Sequence, residues 1–253
     1  MAKRYTDKHT DRNTDNKIPT KKQALMEKKK SKVDKSNQEN KSLKKAYPEK
    51  QKEKSSSKKK VTKAINKTIF PKPGNFLYPV PAVMVSCADE NGKPNIITIA
   101  WAGTICSDPP MVSISVRKSR YSYDLIKNSR EFVINLTDRK LAKAADFCGV
   151  RSGKDVDKFK VCHLTAKEGS TVKAPLIAEA PVNIECRVTQ VLELGSHDMF
   201  LAEVTAVQVD SKYIDEKNSF HMEDVDLIAY SHGKYQALGD ILGTFGYSVR
   251  KKN

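Results

Sequence analysis

This chain of 253 residues has only five cysteines, at positions 87, 106, 148, 162 and 186, and no two are spaced as C-x-x-C. That number does not make a disulfide-dense secreted scaffold, and the odd count leaves at least one thiol unpaired. The spacing gives no support to a zinc ribbon or a thioredoxin-like motif, so no metal site is expected. A run of about 18 apolar residues is absent, which excludes a membrane-spanning helix of ordinary length. The basic N-terminus is followed by no apolar stretch of the kind a secretory signal needs, so a cytoplasmic location is expected. G-x-S-x-G, H-E-x-x-H, Walker-type and G-x-G-x-x-G patterns are missing too, which removes the usual support for several hydrolase, metalloprotease and nucleotide-fold readings. The five histidines show no helical metal spacing.

What is present is unevenly distributed. The formal net charge is +16, and residues 1–65 hold 22 basic against 8 acidic side chains. The remaining residues are therefore close to neutral. Residues 1–65 are rich in Lys, Asp, Asn, Ser, Gln and Thr, with apolar side chains too sparse to form a stripe. Such a segment buries too little surface to offset the entropy of ordering it, so a disordered basic extension over 1–68 is expected, followed by one folded domain over 69–253. A short helix over 21–31 would be marginal alone. Lys dominates the basic residues and aromatics are scarce there, which fits weak, salt-sensitive polyanion contact better than base-specific recognition.

From residue 70 onward the pattern turns to strands. Prolines at 71, 73, 79 and 81 make a stiff entry. Residues 80–88 (VPAVMVSCA) read as a buried strand, Asn91-Gly92 as a turn, and residues 94–101 (PNIITIAW) as the returning strand of a hairpin. Residues 111–116 (MVSISV) alternate apolar and Ser. A helix over 121–128, a strand over 131–136, and a helix capped by Thr137 or Asp138 and stopped by Gly149 follow. In 182–194 the apolar residues hold the even positions, and a turn at 195–198 leads into another long strand over 199–210. This is a mainly β fold with α insertions, best read as a barrel.

Arg117, Lys118, Ser119, Arg120, Tyr121 and Ser122 lie between a strand end and a helix start. Guanidinium forks, hydroxyls and helix N–H groups suit a phosphate, although a solvated basic turn has the same composition. In 95–101, Thr98 and Ala100 leave room for a flat ring to approach the backbone, beside the only tryptophan, Trp101; an ordinary internal strand reads the same way.

In combination, the P-N-x-x-T-x-A-W strand, the D-P-P turn, S-I-S-V-R followed by R-x-S-Y, E-F-V-I-N, SGKDVDKF and SHGKYQALGDILGTFGYSV resemble the flavin reductase-like family, the FMN-binding split β-barrels of flavoredoxin type. The resemblance covers residues 75–249. It implies a homodimer that holds FMN in a groove, takes hydride from NADH or NADPH and passes electrons to a small-molecule or protein acceptor. It also implies that Arg117, Ser119, Arg120 and Ser122 hold the FMN phosphate. Thr98, Ile99, Ala100 and Trp101 would line the ring and ribityl chain, and Ser113, Ser115 and Val116 would pass beneath, with Asn135 and Lys154 as further contacts. His232 is the candidate proton donor near the nicotinamide side. Two other readings stay open: an FMN electron carrier fed by a protein donor, and a non-enzymatic barrel with a polyanion-binding tail.

Overall fold

The computed structural model describes residues 66–250. The expected disorder of the basic extension, its marginal helix and its polyanion contact lie outside the described residues, apart from the short stretch from residue 66. The chain divides between Ile69 and Phe70, and the second unit carries the fold. Among the described residues no helix is long and apolar enough to cross a membrane.

The strands are β1 (Val80–Pro81), β2 (Val83–Ala88), β3 (Pro94–Ile99), β4 (Ala102–Ser107), β5 (Pro110–Val116), β6 (Glu131–Leu136), β7 (Ala166–Lys167), β8 (Leu176–Ile177), β9 (Val182–Glu193), β10 (Asp198–Val209), β11 (Ile228–Ser231) and β12 (Lys234–Ala237). Three helices intervene: α1 (Tyr121–Ser129), α2 (Ala142–Val150) and α3 (Lys158–Val161). Seven strands form one antiparallel sheet in the order β3-β2-β6-β9-β10-β5-β4, and β1, β11 and β12 form a small second sheet.

Chain continuity forces the large sheet to roll up. Its two edge strands, β3 and β4, are consecutive in sequence, separated only by Ala100 and Trp101. That link spans at most about 11 Å, whereas seven flat strands would place the edges about 29 Å apart. The Ser115 N–H donates to the Trp101 carbonyl at 2.9 Å, tying the bend to β5. The result is a split barrel.

Alternation then sorts the side chains. Val83, Val85, Cys87, Ile97, Ile99, Val112, Ile114, Val116, Cys186, Val188 and Phe200 point into the barrel, with Tyr123 and Ile126 of α1 packed among them. The opposite face of β2 and β3 presents Met84 and Ile96 to Leu141, Ala145, Cys148 and Phe159 of the α2–α3 region. Strand β2 is therefore covered on both sides, which is why its sequence is apolar apart from Ser86 rather than alternating.

Several expected boundaries shift for physical reasons. The strand expected over 80–88 is two, because β1 joins β11 in the small sheet while β2 joins the barrel. The strand expected to run to Trp101 stops at Ile99, and β4 was not foreseen. The second helix begins at Ala142; Asp138 accepts the Leu141 N–H at 3.0 Å and so caps the turn before it. Gly149 is not a stop but lies inside α2, where an added Cβ would sit 3.3 Å from Thr98 Cβ. The polar face of β9 is only partly open to water: Arg187, Thr189 and Glu193 are exposed, but Asn183 is buried and Glu185 is fully buried beneath residues 170–172.

Candidate functional site

A groove of about 430 Å³ opens where β3 bends into β4. Thr98, Ile99, Ala100 and Trp101 line it along one side, with Ser115, Val116, Arg117 and Arg120 from the end of β5 and the turn after it. Helix α2 supplies Asp146, Gly149 and Val150, and Tyr78, Tyr230, Gly233 and Tyr235 come from the entry segment and the small sheet. Thr98 Oγ1 donates to the Ala145 carbonyl at 2.5 Å, holding α2 against β3. The close approach of Gly149 to Thr98 is what permits this, since a larger side chain would push the helix away.

At one end the groove shares Ile97, Arg120 and Gly149 with a recess of about 80 Å³. Ser119, Arg120, Ser122, Arg151, Ser152 and Lys158 meet there, at the start of α1, whose N-cap position, Arg120, makes no side-chain capping bond. Asn95 Nδ2 donates to Ser122 Oγ at 2.7 Å. A side chain on Gly153 would collide with Asn95 Oδ1, so this approach needs glycine. The Lys158 ammonium is buried and donates to the Ile96 carbonyl at 2.6 Å and the Cys148 carbonyl at 2.8 Å. An ammonium has three donors, so one remains for a ligand. Burial holds its pKa below the ordinary lysine value. Among the described residues, the side chains of Arg117, Arg120 and Arg151 make no hydrogen bond or ion pair. A recess with this charge, at a helix start, suits a phosphate.

The groove's other rings are tuned by the same neighbours. His197, in the turn between β9 and β10, lies 4.5 Å from Trp101 between ring centroids, tilted by 45°. Burial, then the charges of Arg117 and Arg120, hold its pKa below the ordinary histidine value. Tyr235 is pushed up to about 12, first by burial and then by the Asp146 carboxylate.

Of the residues expected from the sequence, Thr98, Ile99, Ala100, Trp101, Ser115, Val116, Arg117 and Arg120 meet in the groove, and Ser119 and Ser122 meet in the recess. Four do not. Ser113 borders an adjoining apolar hollow of about 650 Å³, which shares Tyr78, Ala100, Trp101 and Ser115 with the groove and is also lined by Phe76, Leu77, Gly103 and Met199. Asn135 is fully buried away from the groove; its Nδ2 donates to the Met84 carbonyl and Ser86 Oγ, both at 2.9 Å, and its Oδ1 accepts from Ile177 N–H and Asn183 Nδ2. Every polar atom of that amide is already used, so it pins the sheet. Lys154 is exposed and lies 6.0 Å from the Tyr121 ring centroid, while Lys158 four residues on enters the recess. His232 packs beside Phe76 (6.2 Å) and edge-on to Tyr78 (5.7 Å) rather than lining the groove. Lys158, Arg151, His197, Asp146, Tyr78 and Tyr235 were not foreseen. The SGKDVDKF string contains Lys158, but only its distant carbonyl partners show that it turns inward.

Comparison with known proteins gives the family and the fold. Residues 76–239 match the family model described as "Flavin reductase like domain". The reductase component of 4-nitrophenol 4-monooxygenase/4-nitrocatechol 2-monooxygenase from Rhodococcus opacus is 29% identical over 126 residues, covering 50% of this chain and 64% of that protein. Flavoredoxin of Desulfovibrio vulgaris (Miyazaki F) superposes with a TM-score of 0.67 at 30% identity, over 73% of this chain and 100% of that one. A putative flavin reductase with split barrel domain from Shewanella frigidimarina has a TM-score of 0.62 at 21% identity, over 68% and 89% of the two chains, a likeness of fold.

Proposed function

This chain belongs to the flavin reductase-like family, and from that premise we propose that it binds FMN in the groove and transfers hydride from NADH or NADPH to the flavin, and thence electrons to a second acceptor. The observation that carries the reading is the union of two shapes. A groove of about 430 Å³ with a strand-end wall runs into a recess of about 80 Å³ lined by Arg120, Arg151 and Lys158. That volume lies within the usual range for small-ligand sites, about 300 to 1,000 Å³. A flat, uncharged ring system ending in a phosphate fits such a pair.

When bound, FMN supplies the ring that accepts hydride and releases electrons, chemistry no side chain here provides. The chain's part is to bind, orient and exclude water. Arg117, Arg120, Arg151 and Lys158, with the Ser119 and Ser122 hydroxyls, would hold the phosphate. The backbone of Thr98 to Trp101 and the Ser115 side chain would border the ring and ribityl chain. His197, kept uncharged at neutral pH by burial and two arginines, would close one side with Trp101 without adding charge. The reading includes a homodimer, supported by the exposed apolar side chains of Phe76, Leu77, Ile241, Leu242 and Phe245. Light scattering that finds a monomer retaining FMN tightly would remove that part.

The likeness to flavoredoxin at 30% identity favours a second reading, an FMN carrier reduced by a protein donor. One experiment separates the two. Purified protein is mixed with FMN, freed of excess and titrated anaerobically with NADH and NADPH while the visible spectrum is followed. Bleaching by either nucleotide is the expected result. Bound flavin that neither bleaches would shift the function to the carrier. No retained flavin, together with silent steady-state assays on free FMN, would overturn both.

A further inference from the structure

Cys148, in the last turn of α2, and Cys162, directly after α3, face each other with their sulfurs 4.0 Å apart. Cys148 is buried and Cys162 half-buried, so one sulfur is reachable from solvent and the other waits behind it. Cys148 also lines the phosphate-sized recess. Lys158 is bonded to both: its ammonium donates to the Cys148 carbonyl at 2.8 Å, and its own carbonyl accepts the Cys162 N–H at 3.0 Å. A disulfide requires a sulfur separation of about 2.05 Å, so the pair must close by a small step. Any part of that step taken up by the backbone at either cysteine moves a group that holds Lys158.

We propose that Cys148 and Cys162 form a reversible dithiol–disulfide site, and that its oxidation loosens the hold of the adjoining recess on a phosphate. The second half rests on the flavin reading; the first does not. The oxidant is a hydroperoxide, hydrogen peroxide in the simplest case. The Cys162 sulfur, after losing its proton, attacks one peroxide oxygen. The O–O bond breaks, the leaving hydroxide takes up that proton as water, and Cys162 becomes a sulfenic acid. The Cys148 sulfur then gives up its proton and attacks the Cys162 sulfur; the S–S bond forms, the S–O bond breaks, and a second water leaves. The two thiols lose two electrons, and the peroxide gains them. Burial pushes the Cys148 thiol up to about 12 and raises that of Cys162 as well, so the pair rests protonated and answers sustained peroxide rather than traces.

The test uses the full chain, reduced, freed of reductant and then exposed to hydrogen peroxide. Intact mass, peptide mapping and FMN titration follow. The expected result is a loss of about 2 Da that dithiothreitol reverses, with a Cys148–Cys162 linked peptide. FMN should bind about fivefold to tenfold more weakly after oxidation, the scale of one weakened hydrogen bond to a charged group. Cys162→Ser should bind FMN as the reduced protein does and show no peroxide-induced loss of 2 Da, with Cys162→Ala as the second variant if the first disturbs folding. Recovery of both residues as free thiols, as separate sulfinic acids, or in bridges to other cysteines would overturn the site. A clean Cys148–Cys162 bridge with unchanged FMN affinity would overturn its link to the recess. Reduced protein that holds no FMN would count against the flavin reading alone, because the mass measurement still decides the disulfide.

Discussion

Two polar regions lie on the outside of the same barrel and treat their charges in opposite ways. Beneath residues 170–172, the Glu185 carboxylate accepts from Ser170, Thr171 and Val172 N–H groups, the Ser170 and Thr171 hydroxyls and Gln208 Nε2. Beside it in the sheet, Asn135 is equally saturated, and Asn183 Nδ2 donates to Asn135 Oδ1 and the Ile177 carbonyl. In the groove and recess, by contrast, Arg117, Arg120 and Arg151 have no side-chain partner among the described residues, and buried Lys158 retains a free donor. A buried polar group whose bonds are all made inside the chain stabilises the fold; cations that converge without acceptors await one from outside. The first region serves stability, and on the proposed reading the second serves binding.

The largest effect that would sharpen this division is expected at Glu185. Glu185→Ala strands several donors and should cost about 3 to 5 kcal/mol of unfolding free energy in urea titration, with FMN affinity per folded molecule unchanged. Burial works against its ionisation, but hydrogen bonds from Gln208, Thr171 and Ser170 win and hold its pKa down at about 2. Its contribution is therefore complete above the unfolded carboxylate range and lost as pH falls from about 4.5 towards 2. Glu185→Gln should flatten that acid limb of the stability curve; an identical limb in both proteins would contradict the assignment.

Asn135→Ala comes next, at about 2 to 3 kcal/mol of stability, again without loss of FMN. A flavin-binding defect in the folded variant would return Asn135 to the site. Arg120→Ala should do the reverse. We expect FMN to weaken by about 1.5 to 3 kcal/mol in a binding titration, while the urea midpoint stays where it was. Equal affinity in Arg120→Ala and wild type would remove the recess as the phosphate site. The smallest effect is expected at Lys154→Ala, within about 0.5 kcal/mol for both stability and FMN, since the side chain is exposed and outside the recess. If Lys154→Ala mattered more than Lys158→Met, the inward-facing lysine would be the wrong one.

Much of this was legible along the chain because it depends on near neighbours. The even positions of 182–194 face one side whatever lies across from them, and residues 117–122 bring two arginines and two serines together by adjacency alone. The β2 run was legible as buried, but not as covered on two faces, because one of those covers comes from α2 and α3 much later in sequence. A polar residue near a family motif looks the same whether its partners are ligand atoms or groups far along the chain: Asn135 is held by Met84, Ser86, Ile177 and Asn183, and His232 packs against the Phe76 and Tyr78 rings.

By itself, then, the sequence determined the division into a basic extension and a near-neutral body, the strand periodicity, and the inner face of the barrel. Those follow from local composition and from the two-residue repeat of an extended chain. Only the tertiary structure decided that Lys158 rather than Lys154 turns inward, since its acceptor, the Ile96 carbonyl, is 62 positions away. It alone set His197 against Trp101, let Gly149 bring α2 onto Thr98, and left Cys148 and Cys162 4.0 Å apart. Most of these pairings exist because α2 and α3 pack onto the outer face of β2 and β3, and that packing chooses which distant residues share a wall.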